Sequence, residues 1–485
     1  MLDSPQPPVL DRETERDRFS GREWAMLLVL CGAIFLEGVD VSMFGVALPA
    51  IRADLAMSTA ELQWVISAYV LGYGGFMLLG GRAADLLGRR RMFLIWLAVF
   101  IAFSGLGGLA SEGWVLIAAR FVTGVAAGFM APAGLSIITT TIAEGRKRNQ
   151  ALLVYAGTGA AGFSLGLVVG GLLAEFSWRW VFFAPVILAA LILIAGIRLI
   201  PAEARPGARS IRDFDLLGAF SVTGAMLLLV YGVVRAPDVP LGATVAVLAG
   251  AVALLALFVT VERRVPAPLV RLGILRSGPL VRANAAALLF AGSFVGFQFI
   301  LVLYLQELRG WSALATGLAM LAVAGDAVLA PTLTPRLVNR FGNVRVIFAG
   351  LLVAGVAYAS FLWIGADAAY AAMLPALILI GVAFALVYGP LTIAGTDGIA
   401  EDEQGLAGAL LYTSWQLGSA LGLAVVTAVQ VTTLGGDHSA AGLLDSYRAA
   451  LTVPVLAIVV AAAVTAFGLR NRAQARSAES VPVAA

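Results

Sequence analysis

Long apolar runs alternate with short, arginine-bearing polar breaks along nearly the whole chain. Early runs cover about 24–49, 61–79, 92–110 and 114–142, and two more, at about 216–234 and 241–261, form a central pair around the short break APDVP. A helix needs about 20 apolar residues to cross the hydrocarbon layer, so the chain has room for about fourteen crossings and no sizeable soluble domain. The pattern predicts an all-α integral membrane protein. Residues 1–23 and 472–485 are polar tails, expected in the cytoplasm. The first tail has no short apolar core ending in a cleavage site, as a signal peptide would.

The polar breaks fix the expected orientation. GGRAADLLGRRR, Gly80 to Arg91, reads as a tight loop carrying Arg82, Arg89, Arg90, Arg91 and the single acid Asp85. Arginine-rich loops are retained on the cytoplasmic side. Basic stretches recur at 144–148, in the Pro, Gly and Arg rich linker 201–215, and in ERRVPAPLVRLGILRSG; the acidic EDEQ at 401–404 weighs little in this bias. Trp178 and Trp180 mark an outer interface.

Composition agrees: 60% of residues are hydrophobic and only 13% charged, with a mean hydropathy of +0.94. The net charge of +3 therefore reports membrane orientation and gives no reason to expect nucleic acid. Cys31 is the only cysteine and lies inside the first run, so no disulfide forms within the chain. His438, the only histidine, falls in an outer loop, which argues against a histidine proton relay inside the membrane.

Against this apolar background a few charged and polar residues carry candidate chemistry. Glu37 and Asp40 are three apart and share a helix face; a carboxylate at membrane depth must be paired, hydrated or protonated. The pair points to a water-accessible cavity, or, for Glu37, to a position near the outer end that reaches water. Arg120 in the fourth run needs an anion, and Glu37 and Asp40 are the nearest candidates; an ordinary structural ion pair or a side chain reaching the interface is the alternative. Trp64, Tyr69, Tyr73 and Phe76 form an aromatic stripe that serves either a pocket for flat amphipathic ligands or packing between helices. Gly162, Gly166 and Gly170, followed by Gly171, leave one face of the fifth helix almost free of side chains, so a neighbouring backbone can approach. Asp326 is the candidate acid of the second half, as a protonation site, a ligand for a cationic substrate, or a solvent-facing residue. Gln298, Tyr304, Tyr388, Tyr412, Trp415 and Gln416 could add polar edges to a cavity.

Several of these stretches resemble, in order, the motifs of the major facilitator superfamily. The loop around Gly81, Arg82, Asp85, Gly88, Arg89 and Arg90 resembles G-x-L-x-D-x-x-G-R-R, with alanine at 83. Asp40, Ser42, Gly45, Ala47, Leu48 and Pro49 resemble the first-helix motif D-x-T-x-x-N-x-A-L-P of the fourteen-helix drug:proton antiporters, with serine for threonine and Gly45 for asparagine. Arg120 to Gly124 resembles the fourth-helix motif, and GFSLGLVVGG resembles G-x-x-x-G-P-x-x-G-G with Leu167 in place of proline, which removes a kink. LVNRFGNVR, Leu337 to Arg345, repeats the first basic loop in weaker form, as expected of a transporter built from two related halves.

The resemblance implies a six-helix bundle at 24–200, a linker and inserted helix pair at 201–281 and a second bundle at 282–471. It further implies proton-coupled efflux of drugs, antibiotics or related amphipathic molecules across the cytoplasmic membrane by alternating access. Asp40, Glu37 and Arg120 would couple to the proton, and residues 81–90 would latch one state. The sequence contains no phosphate-cradling motif, metal-ligand cluster or nucleophile beside a histidine, so the expectation is a monomeric transporter in contact with lipid, needing no cofactor or metal beyond a proton gradient. Uptake or export of an endogenous metabolite or lipid, and a non-transporting membrane sensor, are the rival readings.

Overall fold

The computed structural model describes residues 19–142, 146–201, 215–237, 239–266, 268–325, 329–330, 332–400 and 403–479. Its regular elements, among the described residues, are helices. The first half comprises α1 (Gly21–Leu55), α2 (Thr59–Leu87), α3 (Arg89–Gly108), α4 (Gly113–Thr141), α5 (Arg146–Phe176) and α6 (Trp180–Leu199). The central pair is α7 (Leu216–Arg235) and α8 (Leu241–Glu262). The second half contains α9 (Gly278–Leu303), α10 (Ala313–Met320), α11 (Thr334–Phe341), α12 (Asn343–Ser360), α13 (Tyr370–Thr396), α14 (Gln404–Leu434) and α15 (Ala440–Glu479). Thirteen of them are long and apolar enough to cross a membrane.

Local chemistry explains where these helices start. Ser20 and Glu23 form a reciprocal capping box at the head of α1, and Ser58 and Glu61 repeat it at the head of α2. Each box satisfies two backbone N–H groups that the first turn leaves without partners.

The basic stretch 80–91 is not the expected loop of about ten residues. α2 continues to Leu87, Gly88 alone breaks the helix at φ 98°, and α3 begins at Arg89. Arginine, alanine and leucine are good helix formers, and they carry α2 past Gly80 and Gly81 to the break. Glycine takes that positive φ at little cost. Gly342, at φ 84°, does the same between α11 and α12, so the weak internal repeat has a matching backbone break. The first run also overshoots its expected end, continuing through Pro49 to Leu55.

One expected crossing is discontinuous. α10 gives way to a 3-10 turn at Val323–Gly325, and Asp326 lies outside the described residues. So do Glu144, most of the linker 201–215, and Glu401 and Asp402.

Packing is pairwise and repeats between halves. α1 lies along α5 and α3 along α4, as α9 lies along α14 and α12 along α13; α2 also lies along α4. The halves meet along two seams, α2 with α14 and α5 with α10. The central hairpin covers the first seam: Met226, Val230 and Val234 of α7 join Tyr69, Val70 and Tyr73 of α2 and Ala420 and Ala424 of α14 in one buried cluster.

Candidate functional site

The glycine face of α5 brings α1 into position. A Cβ at Gly162 would collide with the Phe35 carbonyl oxygen, one at Gly166 with Ser42 Oγ, and one at Gly170 would sit 2.6 Å from Met43 Cα. Gly171 faces the other way, 2.6 Å by the same measure from the Ala313 carbonyl on α10. The stripe therefore holds the acid-bearing helix against α5 and continues into the seam between halves.

Glu37 and Asp40 are 6% and 1% exposed, and Arg120 from α4 is 2% exposed, so all three charges are sealed from bulk water. Arg120 Nη1 donates to Asp40 Oδ2 at 2.6 Å, and its Nε donates to the Val65 carbonyl of α2 at 3.1 Å. The guanidinium lies 3.7 Å from the ring centre of Phe44 and 4.3 Å from that of Tyr69. A buried guanidinium is tolerated when its charge and its donors are met together, and here carboxylate, carbonyl and two ring faces do so. Glu37 does not join the ion pair. Its Oε2 accepts from the Tyr73 hydroxyl at 2.8 Å, and the Tyr73 ring packs 5.0 Å from Tyr412 of the second half. Slightly less than one turn of α1 thus separates an acid held by arginine from an acid held by tyrosine at the seam.

Across the seam the second half presents aromatics. Tyr388 and Trp415 have ring centres 5.0 Å apart, and Phe384 lies 5.3 Å from Tyr388 and 5.6 Å from Trp415. Tyr388 is 42% exposed, whereas Tyr69 and Tyr73 are buried in packing. Gln298 is half-buried, with Nε2 lacking a partner among the described residues. Acid and arginine chemistry faces one side of the divide and stacking surface the other.

A profile of the Major Facilitator Superfamily matches residues 30–423. The chain belongs to that superfamily. The puromycin resistance protein pur8 of Streptomyces alboniger is 34% identical over 477 residues, covering 94% of this chain and 93% of the relative. The cephamycin export protein CmcT of Amycolatopsis lactamdurans is 36% identical over 446 residues, 90% of each. Among solved structures, a peptide transporter POT in complex with sulfate aligns with a TM-score of 0.67 at 16% identity, covering 92% of this chain and 94% of that one. The nucleoside transporter NupG aligns with a TM-score of 0.66 at 12% identity, covering 92% and 99%. The chain is thus a multi-pass membrane protein of a transporter superfamily and not an enzyme.

Within this major facilitator chain two contacts of the 81–90 stretch lie inside the first half. Asp85 pairs with Arg89 at 3.2 Å, one turn along, and Arg90 Nη2 donates to the Ile197 carbonyl of α6 at 2.7 Å. The contacts that tie the halves at the opposite face escaped the sequence reading. Arg52 Nη1 donates to both Glu307 oxygens at 2.8 and 2.9 Å, and Gln306 Nε2 donates to the Val46 carbonyl at 2.9 Å. QELR at the end of an apolar run was the available signal, but it looks like any helix terminus. Thr413 Oγ1, donating to the Gly74 carbonyl at 3.2 Å, joins the other seam.

Proposed function

We propose that the chain exports amphipathic antibiotics or related small molecules across the cytoplasmic membrane in exchange for protons. The observation that carries this reading is the sealed Asp40–Arg120 pair at 2.6 Å beside the seam between two helical halves. The names of the relatives, a puromycin resistance protein and a cephamycin export protein, supply the direction and substrate class. The halves act as rocking units, residues 24–200 and 282–471, with the segment 201–281 between them and both tails in the cytoplasm.

In this scheme a proton reaching Asp40 weakens its attraction to Arg120, and the loosened contact lets α1 and α4 readjust as the halves rock. Glu37, tied to Tyr73 and through it to Tyr412, passes the change to the seam. The substrate stacks against Tyr388 and Trp415 on the other side. The Arg52–Glu307 contact holds one face shut and parts in the opposite state, where the 81–90 stretch acts as the latch. No bound cofactor enters this cycle.

The deciding experiment is efflux of puromycin and a panel of other antibiotics from proteoliposomes or cells, with and without an imposed proton gradient. Efflux that needs the gradient and is lost in Asp40→Asn, with the protein still in the membrane, is expected. Gradient-independent efflux would remove the proton from the reading, and accumulation inside cells would reverse its direction.

A further inference from the structure

At the base of the central hairpin two buried carboxyl groups meet, and the export scheme above uses neither. Asp215 is 3% exposed and Glu262 5% exposed. Asp215 caps α7, its Oδ1 accepting from Gly218 N at 2.7 Å. Glu262 ends α8, its Oε2 accepting from Val270 N at 3.0 Å. That leaves Asp215 Oδ2 and Glu262 Oε1, both buried and without a partner among the described residues. The two carboxyls lie within hydrogen-bonding reach of each other.

Ionised carboxylates only accept, so two of them facing each other away from water have no bond to make and repel. One proton between them turns the same geometry into a donor and an acceptor. Among the described residues, charged groups on neighbouring elements do not relieve the pair. Arg271 and Glu403 pair with each other at 3.5 Å, Arg263 and Arg264 are exposed at the start of the following loop, and Arg82 and Asp85 lie at the foot of α2. None of them donates to either free oxygen. No group of three or more candidate metal-ligating side chains occurs among the described residues.

We propose that Asp215 and Glu262 are a proton-binding clasp, holding one shared proton between Asp215 Oδ2 and Glu262 Oε1. The clasp ties the first turn of α7 to the last residue of α8, where the hairpin joins the chain on either side. With the proton in place the hairpin is held against α2 and α14. Without it two like charges push its base apart.

The test uses the full-length purified protein in nanodiscs and the variants Asp215→Asn, Glu262→Gln and both together. Asparagine caps a helix as well as aspartate does, and glutamine can still accept from Val270 N, so the fold is retained. A proton held by the folded protein beyond what the unfolded chain holds adds stability at low pH and is lost as pH rises. The wild-type melting temperature should therefore fall from mildly acidic to mildly alkaline pH, and each variant should flatten that fall. The infrared carbonyl band of a protonated carboxyl should also weaken in each single variant. Variants that keep the wild-type slope, or an infrared band unchanged in both, would overturn the clasp. So would magnesium or calcium raising the wild-type melting temperature at alkaline pH but not that of the variants, which would make the pair a cation site. If one variant fails to fold, the other carries the same comparison.

Discussion

The two halves share a frame and differ in chemistry. Both break their basic turn at a single glycine, Gly88 and Gly342, and both pack their helices in the same pairs. The first half encloses three charged side chains, Glu37, Asp40 and Arg120, each with a partner. The corresponding surface of the second half is built from Phe290, Phe384, Tyr388 and Trp415. Duplication of a frame therefore does not duplicate the site: among the described residues these buried charges lie in one half and these rings in the other.

The sharpest way to break this comparison is to remove a charge from the first half. Arg120→Ala leaves Asp40 buried without a counter-charge, which should cost about 3–5 kcal/mol and appear as a large drop in melting temperature. Asp40→Asn should be milder in stability yet abolish gradient-driven efflux. Gly166→Val drives a branched side chain into Ser42 and Val39 and should cost about 1–3 kcal/mol, read by thermal unfolding. In the second half, Tyr388→Ala should weaken binding of flat substrates by about 0.5–1.5 kcal/mol, measured as a raised half-saturation concentration with gradient dependence intact; loss of that dependence would contradict the division of labour. The smallest effect is expected from Glu307→Gln. Its partly exposed ion pair with Arg52 contributes about 1 kcal/mol or less, so a cysteine probe near Arg52 should show a modest gain in accessibility from that face.

The helices were legible because each is a long apolar run, and the meeting of Arg120 with Asp40 was legible because a buried cation demands an anion. The glycine face of α5 was legible from its four-residue period, though only the structure identifies α1 as its partner. Other features were not. Stretch 80–91 read as a loop because charge and glycine density mimic one, whereas the helix needs a single break. Asp215 and Glu262 sit at the ends of apolar runs, where an acid passes for an ordinary cap. The sites on the seams depend on contacts between residues far apart in sequence, 255 positions for Arg52 with Glu307, and local patterning does not encode them.

The seat of the inserted hairpin has a mechanical consequence. Because α7 touches α2 and α14 at once, it straddles the line between the halves, and in the proposed cycle a swing would shear one of its two footholds. The extra helix pair would thus set a limit on travel. Pinning α7 to both neighbours should freeze the cycle, and pinning it to one alone should let turnover continue.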